Sequence, residues 1–180
     1  WPAHGEPEGG GPGGEGPAVA LGREADAALA EGRHRNVSVP DGAGGSIEAL
    51  VEPILPWPEL YVFGAGPDAV PVVRLAVELG FEVTVADHRP AFVRPDRFPG
   101  AAAVVLCEPS SIAETVDPGP GAAVLVMSHS FAHDRAYLEQ LLRRRLRYLG
   151  ALGPKRRTER LLAELAARGI SPDPAARATL

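Results

Sequence analysis

The sequence predicts an α/β fold: a three-layer sandwich with a mostly parallel sheet and helices on both faces. After residue 58, short apolar runs typical of strands alternate with segments of helical periodicity. The runs are apolar almost throughout, as in parallel strands that are buried on both faces. The first run leads into GAGPDA at residues 64–69, a Gly-x-Gly-x-x-Ala turn typical of nucleotide-binding sheets. The predicted architecture is therefore Rossmann-like.

The chain falls into three predicted regions. Residues 1–17 are rich in Gly, Pro and Glu and are expected to be disordered. Residues 18–58 are expected to be the remnant of a preceding domain with its linker, containing a helix at 18–32 and a strand within 45–58. Prolines just before residue 59 mark the boundary, and residues 59–180 form the Rossmann-like domain.

Within that domain the predicted elements alternate in chain order. Each apolar run of four to six residues is assigned as a strand, and each longer segment with an apolar face is assigned as a helix. The strands are predicted at 60–63, 81–86, 102–106, 122–127 and 148–152, and the helices at 67–79, 134–145 and from 154 onward.

Composition limits the class of protein. The 180 residues are 45% hydrophobic with a formal charge of −5, which is ordinary for a globular protein. No run approaches the ~18 apolar residues of a membrane helix, and no signal-peptide pattern is found. The single cysteine, Cys107, allows no internal disulfide and no multi-cysteine metal site. We therefore expect a cytoplasmic protein that uses no membrane and no structural zinc.

Basic residues are concentrated in one segment, residues 143–160. It holds eight basic residues and one acid, a charge of +7, so the rest of the chain carries −12. This asymmetry favours a local anion site on an acidic body and disfavours a nucleic-acid surface, whose basic area is usually broad. A solvated arginine-rich helix end remains the alternative.

The glycine loop contains the first candidate ligand positions. Gly64 permits the tight turn out of the strand, and Gly66 lets the backbone at Ala65 and Gly66 approach a pyrophosphate. Asp87 ends the second strand 23 residues after Gly64, where an acid usually accepts the ribose hydroxyls of a nucleotide. A purely structural turn remains the alternative for both the loop and Asp87.

Asp68 complicates this interpretation, because it lies in the first turn of the following helix. An acid there either caps the helix or comes close to an anionic ligand. If a phosphate binds at the loop, Asp68 must point away from it or share a metal ion or a proton with it.

Polar residues follow the fourth strand. Ser128 and His129 fall at the carboxyl edge of the sheet, where open α/β sheets bind ligands. His129 is read as a hydrogen-bonding group and Asp134 as a capping or supporting residue. His129 and His133 have the spacing of a helical metal pair, but no further ligand completes it, so no metal site is predicted. No nucleophile elbow is present, and no catalytic residue is predicted.

The segment LGPKRR opens the last helix at Pro154. Lys155, Arg156 and Arg157 occupy its first turn, where cations are unfavourable by up to ~1 kcal/mol each. A bound phosphate would offset this, and Gly153 leaves room for its approach. Extension of these side chains into solvent remains the alternative.

Four segments in this order resemble the C-terminal Rossmann domain of the XdhC/CoxI family, the xanthine dehydrogenase accessory proteins. The resemblance covers about residues 51–165. The segments are PELYVFGAGPDAVPVVRLAVELGFEVTVADHRP, RFPGA, VLVMSHSFAHDRAYLEQLL and RYLGALGPKRRTERLLAEL.

The resemblance implies a maturation factor, or chaperone, rather than a redox enzyme. Such proteins bind the molybdenum cofactor, as molybdopterin or its dinucleotide form, while a cysteine desulfurase helps to install its sulfido ligand. They deliver it to xanthine dehydrogenase or a CO dehydrogenase-type molybdenum hydroxylase. A homodimer is left open, as are an NAD(P)-binding oxidoreductase, a nucleotide-sensing module and a docking scaffold. The implied ligand-facing positions are Gly64, Gly66, Asp87, His129, Gly153, Arg156 and Arg157.

Three departures from the family pattern limit what carries over. Many members have His and Val where this chain has Pro67 and Asp68, and the family's LGSRRR appears here as LGPKRR, with Lys155 for the first arginine. The N-terminal domain with its cysteines is almost wholly missing, so residues 18–58 are its expected remnant. The usual ending after the last helix is also absent before Leu180. We expect the chain to fold without completing the reaction.

Overall fold

The structure is a computed structural model that describes residues 16–171. The predicted disorder of residues 1–15 and the expected truncation near Leu180 lie outside that range. Gly16 and Pro17, expected to be disordered, instead cap and begin the first helix. The chain divides into two compact units, one ending at Pro56 and the other beginning at Trp57. Within residues 16–171, no helix has the length and apolarity needed to cross a bilayer.

The first unit contains one helix and one hairpin. Helix α1 spans Pro17–Glu31 and ends at Gly32, whose left-handed φ of 64° a side chain would strain. Strands β1, Arg35–Pro40, and β2, Ser46–Val51, pair antiparallel. The helix and β2 match the sequence prediction. Strand β1 was missed, because RNVSVP is short and its final proline is typical of a loop.

The second unit contains a five-stranded sheet in the order β5-β4-β3-β6-β7, and every pair is parallel. Its strands are β3, Glu59–Phe63; β4, Glu82–Asp87; β5, Ala103–Leu106; β6, Ala123–Val126; and β7, Tyr148–Ala151. All five were predicted, with ends that differ by one residue. The α/β prediction is confirmed.

Helices connect these strands and follow the last one. They are α2, Ala69–Glu78; α3, Ile112–Thr115; α4, Phe131–Leu141; and α5, Lys155–Ala166, with a short 3-10 helix at Pro95–Arg97. The helix predicted from residue 134 starts three residues earlier, because the Ser130 side chain accepts a hydrogen bond from the His133 N–H and caps it. Helix α3 has only four residues and produced no periodic signal.

Each face of the sheet has its own apolar core, which gives the three predicted layers. On one face Tyr137, Leu138 and Leu141 of α4 pack with Leu161 and Leu165 of α5. On the other face, α2 packs through the buried residues Ala69, Val73 and Ala76 against Val62, Val83 and Val85. The sequence buries both faces because its strands carry apolar residues at nearly every position.

The strand order places a switch point beside β3. From β3 the chain proceeds to β4 and β5 on one side, then returns to β6 and β7 on the other. The segments leaving β3 and β6 therefore diverge, and a crevice forms between them at the carboxyl edge. Hydrogen bonds of 2.8 Å, from the Met127 N–H to the Phe63 oxygen and from the Leu152 N–H to the Val126 oxygen, align these segments.

The basic segment is divided between the two edges of the sheet. Four arginines, at residues 143, 144, 145 and 147, precede β7 and lie at the amino edge. Lys155, Arg156 and Arg157 follow β7 at the carboxyl edge. Four residues of strand separate the groups by about 13 Å. The local anion site expected from this segment can therefore use only one half of it, because a strand carries the two halves to opposite edges.

Replacement of Leu141 by alanine should destabilise the second unit by about 2–5 kcal/mol, because Leu141 is fully buried between α4 and the sheet. Urea unfolding would measure the loss. Leu75→Ala is the matched control on α2, since the side chain of Leu75 is 55% exposed and its removal should change stability little. Equal losses would contradict the packing described for α4.

Candidate functional site

Three segments meet at the carboxyl edge of the sheet. They are the glycine loop at 64–68 after β3, the segment 127–130 after β6, and residues 152–156 between β7 and the first turn of α5. Because β3, β6 and β7 are neighbours in the sheet, the outer two segments lie about 10 Å apart. The sequence-predicted ligand positions other than Asp87 and Arg157 all belong to these segments.

Gly64 has no tolerable replacement in this backbone. Its φ is 118°, and a Cβ there would lie 2.5 Å from the Met127 carbonyl oxygen and 2.8 Å from the Ser128 nitrogen. The loop after β3 thus presses against the segment after β6. At Gly66 a Cβ would lie 2.6 Å from the Asp68 Oδ1 and 4.0 Å from the His129 Cδ2, so the space beside Gly66 is bordered by two partly exposed side chains.

Asp87 holds the glycine loop rather than facing the crevice. Its carboxylate is buried and accepts the Ala65 N–H at 2.7 Å, the Arg89 N–H at 2.8 Å and two bonds from the Arg89 guanidinium at 2.9 and 2.7 Å. Burial alone would raise the pKa of Asp87, but these donors outweigh it and lower the pKa to about 2. The lone pairs that were expected to accept ribose hydroxyls are engaged by the protein.

Sequence reasoning missed two arginines that support the loop. Arg89 pairs with Asp87 and stacks its guanidinium 3.9 Å from the ring centre of Phe92. Arg97 donates to the Ala65 oxygen at 2.9 Å and to the Phe92 oxygen at 3.0 Å. The signal was present, because Arg97 opens the RFPGA segment, but only the fold brings it back to a loop 32 residues away.

Asp134 joins the segment after β6 to α5. Its carboxylate is 1% exposed, accepts the Ser128 Oγ–H at 2.5 Å and the Ser128 N–H at 3.2 Å, and forms an ion pair with Arg157 at 2.8 Å. Ser128 and Arg157, both predicted to face a ligand, therefore bind a protein carboxylate. The positive charge of Arg157 is unfavourable at the amino end of α5. The Asp134 carboxylate offsets this cost, so no bound phosphate is needed to do so.

Arg156 and Lys155 extend from the first turn of α5 into solvent. Lys155 approaches Glu159 only at 4.0 Å, and Arg156 has no side-chain partner among residues 16–171. Gly153 precedes them with a φ of 148°, and a Cβ there would lie 3.0 Å from the Arg157 side chain. Arg156 is thus the predicted cation that the fold leaves unpaired at this edge.

Asp68 points across the loop to His129. The His129 Nε2 and the Asp68 Oδ2 are 2.6 Å apart, and both side chains remain partly exposed. His129 has the positive φ of 60°, which is rare for a residue with a side chain. Asp68 precedes α2 as its N-cap residue, but its side chain makes no capping hydrogen bond. The structure therefore favours a role for Asp68 that is directed at the His129 ring.

The two histidines of SHSFAH do not act together. His129 precedes the helix, while His133 contacts His88 with ring centres 4.1 Å apart. Burial lowers the pKa of His88, and His133 lowers it further. The Nδ1 atoms of both rings are buried without a hydrogen-bond partner among the described residues. No group of three or more His, Cys, Asp or Glu residues suited to a metal ion is found within residues 16–171.

Comparison with known proteins gives consistent matches. The family model described as the XdhC Rossmann domain matches residues 60–180. A Bacillus subtilis protein described as a probable xanthine dehydrogenase subunit is 38% identical over 114 residues, which are 63% of this chain and 34% of that protein. Protein YqeB of Escherichia coli is 27% identical over 141 residues, 78% of this chain and 26% of that protein.

One solved structure is similar in both sequence and fold. It is described as a xanthine dehydrogenase from Bacillus halodurans, and it superposes with a TM-score of 0.61 at 35% identity, over 71% of this chain and 36% of that one. The chain therefore spans between about a quarter and about a third of the length of these relatives.

Replacement of Asp134 by asparagine should lower the free energy of unfolding by about 3 kcal/mol, because it leaves the half-buried Arg157 cation unpaired. Urea unfolding at neutral pH would measure the loss. Glu164→Gln is the control, since it removes a carboxylate from the exposed ion pairs of α5 and should change stability little. Similar losses for both variants would show that burial of the Asp134–Arg157 pair does not increase its contribution to the free energy of unfolding.

The stability of the second unit should fall in acid partly through Asp87. Its folded pKa of about 2 lies below the ordinary value of 3.8, so its contribution is full above pH ~4 and disappears as pH falls through 2. The contribution should be about 2 kcal/mol. Unfolding at pH 5 and pH 2 would test this, because Asp87→Asn should lose less stability between these values than the parent. An NMR titration midpoint near 3.8 for this carboxyl would contradict it.

Proposed function

This chain belongs to the XdhC family through its Rossmann domain, and from that premise we propose that it binds the molybdenum cofactor as an accessory to xanthine dehydrogenase or a related molybdenum hydroxylase. The named relatives support an association with the xanthine dehydrogenase system. In this proposal the protein holds the cofactor during its maturation and transfer.

The observation that carries the proposal is that the glycine loop and the unpaired Arg156 lie on one crevice edge. Gly64 brings the loop backbone against the segment after β6, and the space beside Gly66 is bordered by the partly exposed side chains of Asp68 and His129. The first backbone N–H to form a hydrogen bond at the start of α5 is that of Arg157, which donates to the Pro154 oxygen. The N–H groups of Lys155 and Arg156 come before it and remain available to an anion. These groups fit a phosphate or pyrophosphate, the anionic part of molybdopterin or of its dinucleotide form.

Each residue at this edge would have a binding or positioning role. Gly66 and the Asp68 N–H would approach the phosphate from the loop, while Arg156 would pair with it from α5. Ser128 would be positioned by Asp134 beside them. The bound cofactor would supply the molybdenum centre, and exchange of its oxo for a sulfido ligand would require a sulfur donor such as a cysteine desulfurase. The role proposed for this chain's residues is to hold the cofactor and to shield it from solvent.

NAD(P) is the competing ligand, since a Gly-x-Gly loop followed by an acid at the end of the next strand is typical of dinucleotide sites. The contacts of Asp87 weigh against it. A ribose would have to displace Arg89 from a carboxylate that already accepts two backbone N–H groups and two guanidinium bonds. The molybdenum cofactor in its molybdopterin form makes no such demand, because it carries a phosphate and no ribose.

We expect the chain to bind molybdenum cofactor, and Arg156→Ala to weaken that binding about tenfold, because Arg156 is the unpaired cation at the crevice. Gly66→Val should weaken it at least as much, because the valine side chain would fill the space beside Gly66 that now borders the Asp68 carboxylate. Equilibrium binding under anaerobic conditions, with NADH and NADPH as competitors, would measure these effects.

Arg143→Ala is the matched control, because Arg143 is an exposed arginine at the amino edge of the same sheet and should not affect binding. Binding of NADH alone would overturn the proposal in favour of a nucleotide module. Equal loss in the Arg143 and Arg156 variants would show that net charge, rather than the crevice, accounts for affinity.

A further inference from the structure

A hydrogen bond between Asp68 and His129 joins the glycine loop to the segment after β6. The two side chains come from residues 61 positions apart and meet at 2.6 Å. Each retains solvent exposure, 37% for Asp68 and 62% for His129, so the bridge lies at the mouth of the crevice rather than in the core. We name this contact the Asp68–His129 bridge.

The bridge lies on the side of the loop that a ligand would approach. A Cβ on Gly66 would come within 2.6 Å of the Asp68 Oδ1 and 4.0 Å of the His129 Cδ2. The space that the missing side chain of Gly66 leaves is thus bordered by the bridge. A phosphate that used this space would contact the Asp68 carboxylate directly.

Asp68 is also placed as an anion at the start of α2. The helix has ten residues, and its amino end favours negative charge. The Asp68 side chain accepts no capping hydrogen bond from α2, and the polar group it contacts is the His129 ring. The carboxylate therefore lies near the helix amino end and contacts the His129 ring, the two features that would attract a phosphate to this place.

We propose that the Asp68–His129 bridge is an internal substitute for the ligand phosphate, and that a phosphate binds only when the bridge opens. His129 then donates to the phosphate instead of to Asp68. This inference rests on the proposed anion-binding role of the crevice. It makes Asp68 and His129 the residues that determine which anions the loop accepts.

The bridge acts as a filter rather than a permanent block. Because both partners are partly exposed, the pair is screened by water and opens easily. After opening, the Asp68 carboxylate still repels an incoming anion. A ligand that also reaches Arg156 gains a second charged contact to offset this repulsion, whereas a small anion held by the loop alone does not. The site therefore favours an extended phosphate-bearing molecule or a pyrophosphate over a single inorganic phosphate.

The test uses inorganic phosphate and pyrophosphate as probes, with titration calorimetry on the whole chain. Asp68→Asn should tighten pyrophosphate binding about tenfold, because it removes the competing anion and releases His129. The double variant Asp68→Asn/His129→Ala should lose most of that gain, because the released donor is then absent. Phosphate should bind the parent chain more weakly than pyrophosphate does.

Asp96→Asn is the charge-matched control. Asp96 is an exposed aspartate outside the glycine loop, and its carboxylate lies 2.6 Å from the guanidinium of Arg94. A direct readout comes from the His129 ring resonances, which should move when pyrophosphate is added to the parent chain. An equal effect of Asp68→Asn and Asp96→Asn would overturn the proposal, as would a double variant that keeps the full gain. Failure of every variant to bind pyrophosphate would also overturn it.

These outcomes are separable from those of the proposed function. If the parent chain binds molybdenum cofactor but Asp68→Asn does not alter anion affinity, the bridge proposal fails alone. If Asp68→Asn tightens pyrophosphate binding while no molybdenum cofactor binds, the bridge stands and the cofactor assignment fails.

Discussion

The carboxyl edge of this protein depends on the buried carboxylate of Asp134. It accepts hydrogen bonds from Ser128 in the segment after β6 and pairs with Arg157 of α5, so one side chain of α4 joins a strand end to a second helix. Without it, a cation in the first turn of α5 would face the positive end of the helix dipole with no counter-charge. Because the carboxylate is buried and its partners are fixed, the geometry of the crevice on this side is set by packing rather than by a ligand.

A second buried carboxylate performs the same task on the other side of the crevice. Asp87 accepts a hydrogen bond from the Ala65 N–H and another from the Arg89 guanidinium, while Arg97 donates to the Ala65 carbonyl oxygen. The two carboxylates thus consume most of the polar groups that the sequence offers at this edge. What remains available to a ligand is small and specific: the backbone at Gly66, the exposed Lys155 and Arg156, and the Asp68–His129 bridge. This division between supporting and available groups explains why a site rich in predicted ligand residues leaves few of them free.

The amino edge has a different character. It carries Arg143, Arg145 and Arg147, while Arg144 is held by Asp117 and the Pro118 carbonyl. An apolar cavity of about 570 Å³ lies near this edge, with Tyr148 and Phe81 in its lining and Glu59 and Arg147 as its charged residues. Opposite charges line the cavity together, so its electrostatics favour neither an acidic nor a basic partner. The basic residues that are close together in the sequence at 143–160 therefore do not form one continuous basic surface in the fold.

The sequence by itself determined the fold class, the five strands and the family, because each depends on local information: apolar runs, the glycine turn and motifs in series. The glycine turn predicts the positive φ of Gly64, but the clash that a side chain there would make with Met127 and Ser128 follows only from the pairing of β3 with β6. Only the tertiary structure decided which candidate residues are free. Asp87 and Arg157 are residue types that bind ligands, but Asp87 accepts the N–H of Ala65 and Arg157 pairs with Asp134, and both partners come from elements that the sequence does not show to be neighbours. Ion pairing depends on distances between such elements, and packing of the sheet alone sets those distances.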